Sequence, residues 1–165
     1  MYAFTGKTDD VKYMPQDMIS VLSGDDLLIA GEFIALAENL NLKHAIRYAV
    51  GHKTWKCVYT SSKPKRTIFT IECTADKLNI KACLFNIDSY LFDFPDISEN
   101  IIHQLNSWKC SRCNANCRGG VTLTLNGVTE SKCIGGAFNF SKLNRAEWRM
   151  ILNMIKKETN NTKDL

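Results

Sequence analysis

Between residues 45 and 85 the chain alternates short apolar, β-branched runs with short turns, and that rhythm leaves few folds open. Residues 45–50, 55–60, 66–73 and 78–85 are rich in Val, Ile, Thr, Tyr, Trp and Phe, the signature of strands. Ser61-Ser62-Lys63-Pro64-Lys65 and Thr74-Ala75-Asp76-Lys77 are too short for a crossover, so consecutive strands must pair antiparallel as a β-meander. In the last run Leu78, Ile80, Ala82 and Leu84 alternate, as the covered side of a half-buried sheet requires.

Helical patterns flank the meander. Pro15 suits a first helical position, Met18, Ile19 and Leu22 form a short apolar face, and Gly24 is expected to stop that helix. A second helix is expected over 25–39, where Leu27, Leu28, Phe33, Ile34 and Ala37 recur near helical spacing. After the meander, Ser98 is a candidate N-cap for a helix reaching about residue 106, with Ile101, Ile102 and Leu105 buried. Asn126-Gly127 predicts a tight hairpin between 121–125 and 128–133. Asn144 with Glu147 reads as a capping box for a last helix carrying Trp148, Ile151, Leu152 and Ile155. The expected fold is α+β: a meander packed by helices, with a cysteine-bearing loop and hairpin near the C-terminus.

At 165 residues the chain is expected to form a single domain over 1–165. Residues 1–13 and the segment from Glu158 on have little to bury, so 1–13 and 159–165 are expected to be flexible. No uninterrupted apolar run approaches a bilayer span, so no membrane partner is expected. The first ten residues hold no apolar signal-like run, and a reducing, cytoplasmic location is the expectation. Asp88, Asp93 and Asp96 bracket two phenylalanines and read as a solvated loop rather than an acid–base pair.

Four of the seven cysteines, Cys110, Cys113, Cys117 and Cys133, are spaced C-x2-C-x3-C-x15-C. Two thiolates two residues apart, a third one turn on and a fourth returned by a hairpin suit one tetrahedral Zn²⁺. Disulfides fit poorly with an odd cysteine total and no secretory signal. An iron–sulfur cluster, a redox pair at Cys110 and Cys113, or plain reduced thiols remain open alternatives. Four cysteines would close the zinc shell and leave no place for a reacting water, so the site reads as structural. Cys57, Cys73 and Cys83 stand singly in apolar runs, and Cys73 and Cys83, inside strand candidates, are expected to be buried and reduced.

No acid lies between Glu38 and Glu72, whereas Lys43, Arg47, Lys53, Lys56, Lys63, Lys65 and Arg66 all do, interleaved with Tyr48, Trp55 and Tyr59. Cations and aromatics on one sheet face would suit single-stranded nucleic acid. Solvated lysines that guard a sheet edge explain the same residues. A pocket for a flat or anionic small molecule would use Arg47, Tyr48, Trp55 and Tyr59.

With its lysine-bearing meander around Trp55, its cysteine cluster and its Phe138-Asn139-Phe140 segment, the chain resembles a group of small uncharacterised bacterial proteins. The resemblance implies an α+β fold of the kind used by small-molecule-binding domains and implies no activity. Cys57, Cys73 and Cys83 depart from it. The leading expectation is a non-catalytic small-molecule-binding module with a structural zinc held by four cysteines. A thiol- or zinc-dependent enzyme using the cysteines from Cys110 to Cys117 is one alternative. Nucleic-acid binding through residues 43–66 is the other. The oligomeric state is not legible in the sequence.

Overall fold

In the computed structural model, residues 13–107, 120–125, 127–133 and 137–161 are described below. The element order is α1 (Pro15–Ile19), α2 (Gly24–Asn39), β1 (Lys43–Ala49), β2 (Thr54–Ser62), β3 (Lys65–Thr74), β4 (Lys77–Ala82), α3 (Ile87–Tyr90), α4 (Glu99–Ser107), β5 (Gly120–Leu125), β6 (Val128–Cys133), β7 (Phe138–Ser141) and α5 (Arg145–Asn161). The fold is α+β: an antiparallel sheet in the order β1-β2-β3-β4-β7, and a separate β5-β6 hairpin.

The meander pairs as the turn lengths require, with Tyr48 opposite Trp55, Trp55 opposite Cys73 and Cys73 opposite Leu78. Period two then gathers Cys57, Tyr59, Phe69, Ile71, Cys73, Ile80, Phe138 and Phe140 on one buried face. Helices α2 and α5 cover it. Phe33 of α2 meets Phe69 at 5.8 Å and Trp148 of α5 edge-on at 6.0 Å, so one aromatic junction joins both helices to the sheet. Asp26 in the first turn of α2 accepts the Leu78 N–H at 3.2 Å, fixing the helix against β4.

A β-bulge interrupts the β2-β3 ladder. Tyr59 pairs with Phe69 but Thr60 with Thr67, leaving Ile68 as the extra residue. Ile68 and Phe69 are both buried although adjacent, which regular alternation forbids. The slip also carries Arg66 to the helix-covered face, where its guanidinium meets Glu158 of α5 at 3.3 Å and lies 5.2 Å over the Phe85 ring.

Several sequence expectations need correction. Gly24 does not stop α1; it opens α2, with φ +56, a conformation glycine adopts without steric cost. The fourth strand ends at Ala82 rather than Phe85. The segment before α4 is not simply a solvated loop: Asp88 and Asp93 are exposed, but Ile87, Tyr90 and Leu91 are buried through α3 and the turn that follows it. Phe138–Ser141, not anticipated as a strand, completes the sheet. Nor does the chain run out of things to bury at Glu158. Its carboxylate is fully buried and accepts from Arg66, the Asn86 backbone and side chain, and the Tyr90 hydroxyl. Thr159 is buried as well, inside a helix that continues to Asn161.

No helix among the described residues is long and apolar enough to cross a membrane.

Candidate functional site

In a meander the β1-β2 and β3-β4 turns emerge at the same end of the sheet. The first is tight: a 3-10 turn over Val50–His52, then Lys53 in the left-handed region at φ 48, its N–H donating to the Val50 carbonyl at 3.2 Å. Thr54 Oγ1 donates to the His52 carbonyl at 2.8 Å and closes it. The turn leaves Tyr48 and Trp55 directly opposite, rings 4.9 Å apart and tilted by 48°. Tyr13 meets Trp55 edge-on at 5.2 Å.

Between the two turns lies an open depression of about 520 Å³. Tyr48 and Trp55 supply its aromatic wall, and His52, Lys53, Asp76, Lys77 and Val21 complete the rim. Thr74 Oγ1 donates to Asp76 Oδ1 at 3.2 Å, holding the lone acid of the rim back on its own turn. Tyr48 is 36% exposed, while Trp55 is half-buried and also packs on the core. An aromatic wall beside two lysines can stack on a planar group and orient a negative one.

Of the four expected ligand-binding residues, the structure brings Tyr48 and Trp55 together in this depression. Tyr59 is placed elsewhere: it is 2% exposed and stacks on Phe69 at 4.7 Å in the core. Arg47 is exposed on the opposite face of the sheet, paired in register with Lys56. Within β1 and β2 the cations Lys43, Arg47 and Lys56 therefore separate from the aromatics Tyr48, Trp55 and Tyr59, since neighbours in a strand point to opposite sides. His52, Lys53, Asp76 and Lys77 were not singled out as pocket residues. Their signal was the meander itself, which sends both turns to one end.

Cys110, Cys113 and Cys117 lie outside the described residues. Cys133 ends β6, where its backbone pairs with Gly120, three residues after Cys117 in sequence. Gly127 has φ 78, as the expected Asn-Gly hairpin requires, while Asn126 is outside the described residues. Among the described residues no three His, Cys, Asp or Glu side chains gather as a metal site.

The scattered cysteines are free thiols. Cys57 and Cys73 are fully buried, and Cys83 is half-buried. Burial pushes the Cys57 thiol up to about 11 despite an opposing hydrogen bond with Tyr59. It pushes Cys73 to about 12 and Cys83 to about 11, the latter against the pull of Arg66. Groups so reluctant to ionise are poor nucleophiles at neutral pH.

Comparison with protein-family models, curated proteins and solved structures finds no match to the chain.

Proposed function

We propose that the protein is a non-catalytic ligand-binding module that takes a flat, anionic small molecule in the depression between the β1-β2 and β3-β4 turns. The observation that carries this reading is the Tyr48–Trp55 ring pair beside Lys53 and Lys77. Aromatic area supplies affinity and the lysines set orientation. Nucleophilic chemistry gains no support from Cys57, Cys73 and Cys83, whose thiols stay protonated at neutral pH. A structural zinc held by Cys110, Cys113, Cys117 and Cys133 belongs to the same proposal. The Gly120–Cys133 pairing supports it by bringing the fourth cysteine's backbone back to the end of the segment that carries the other three.

A thermal-shift screen of aromatic carboxylates and phosphates tests the ligand. We expect at least one to raise the melting temperature, and Tyr48→Ala or Lys53→Gln to abolish the shift while leaving the protein folded. Trp55→Ala is the less informative variant because Trp55 also packs on the core. A screen with no hit, or a shift that survives both variants, refutes the pocket. Elemental analysis tests the metal separately, with about one zinc per chain expected.

A further inference from the structure

The five-stranded sheet has a second face, turned away from α2 and α5. Alternation places Lys43 and Arg47 of β1, Lys56 of β2 and Lys81 of β4 on it. Glu72 of β3 joins them and is the only acid in the five strands. It sits between two of the cations, 2.7 Å from Lys56 and 2.9 Å from Lys81, so this face keeps a clear positive surplus.

We infer that this open sheet face binds the phosphate backbone of double-stranded nucleic acid. Edge protection accounts for Lys43 and Arg47, which lie on edge strand β1; Glu72 balances one of the two interior lysines, Lys56 and Lys81, and leaves the other uncompensated. Strand spacing puts Arg47 and Lys81 about 14 Å apart across the sheet, and Lys43 and Arg47 about 13 Å apart along β1. A duplex carries one charge per about 1.7 Å of its axis, so several phosphates fall within such a patch. Thr60, Thr70 and Asn139 stand among the cations and can donate to phosphate oxygens.

The surroundings choose between polyanions. Single strands gain affinity by stacking bases on aromatic side chains. Here Tyr48, Trp55, Tyr59, Phe69, Phe138 and Phe140 are all on the other face, which leaves the doubled charge density of a duplex as the better match. A membrane surface would reward apolar side chains that insert among the lipids. None of the exposed large apolar residues (Met14, Val21, Leu27, Leu28, Tyr48, Val50, Phe92) is on this face.

The test is a fluorescence-anisotropy titration of the full chain with a 20-base-pair duplex from about 50 to 200 mM salt, a range over which phosphate contacts are strongly screened. A net surplus of three positive charges on this face predicts a log–log slope of about −2.7, a loss on the order of 40-fold in affinity across that range. Lys43 and Arg47 are exposed, so Lys43→Gln/Arg47→Gln should keep the parent circular dichroism spectrum and lower the slope by about 1.8. Tyr48→Ala should leave the slope unchanged, which separates this face from the depression. The proposal is overturned by no binding at the lowest salt, or by an unaltered slope in the double variant. Tighter binding to the single strand overturns it too, as does capture by phosphatidylserine vesicles at least as strong as by duplex.

Discussion

Cys57, Cys73 and Arg66 show how much a single position depends on the register of its strand. Cys57 and Cys73 face α2 and α5 because each is an even number of residues from a core aromatic or aliphatic neighbour, Cys57 from Tyr59 and Cys73 from Ile71. Burial removes water from the thiolate, so the thiol form persists well above neutral pH. Brief treatment of the native protein with iodoacetamide at about pH 7.5, read by mass spectrometry, should therefore leave Cys57 and Cys73 unmodified, since buried thiols are inert. Rapid, full labelling of the unfolded protein is the control, and equally fast native labelling would contradict the burial. Arg66 is the opposite case. Without the bulge at Ile68 it would share the outward face with Lys56; with it, Arg66 reaches the buried Glu158. No local pattern around Arg66 announces that slip.

Among the elements, α4 and α5 begin at a shared knot. Asn144 Oδ1 accepts the Glu147 N–H at 3.0 Å and Glu147 Oε2 accepts the Asn144 N–H at 2.8 Å, the reciprocal capping box read from the sequence. The buried Glu147 carboxylate also accepts the Ser98 hydroxyl at 2.5 Å, while Ser98 Oγ accepts the Ile101 N–H at 3.3 Å. One carboxylate thus helps cap two helices that lie far apart in the chain. Asn144→Ala should cost about 1 kcal/mol in urea denaturation, the usual worth of an N-cap. Glu147→Ala should cost more, because it strips Ser98 of its acceptor as well. Equal costs would mean the two helices are capped independently. At the edge of the sheet, Gln104 of α4 imitates a neighbouring strand: its amide donates to the Ser141 carbonyl and accepts the Ser141 N–H, both at 2.9 Å. That contact closes the β7 edge, which a four-residue strand could not shield alone.

On the scale of the whole molecule, the open sheet face ties pH to stability. Burial by itself would push the Glu72 carboxyl up, but hydrogen bonds from Lys56, Lys81 and Asn79 outweigh it and hold the group below its ordinary 4.5. A carboxyl with a lower folded than unfolded pKa stabilises the fold above the unfolded value and loses that contribution as pH falls through the folded one. Urea midpoints should therefore drop on acidification below about pH 4.5, and Glu72→Gln should be less stable at neutral pH with a flatter acid limb. An acid limb identical in parent and variant would refute the linkage. The sequence by itself determined the local elements: the meander, because short turns permit only antiparallel neighbours; the caps at Ser98 and Asn144; the hairpin around Gly127; and which residues share a face, Cys57 with Tyr59 and Cys73 with Ile71, because period two follows from pleat geometry. Tertiary structure alone decided which segments meet across long separations. It paired Phe138–Ser141 with β4, sank Glu158 beneath Arg66 and Tyr90, and sent Tyr59 to the core while Tyr48 and Trp55 faced the depression. The physical reason is that hydrogen bonding and alternation act between near neighbours and are written in composition. Which face is covered, and where a ladder slips, depends on packing elements that are far apart in the chain.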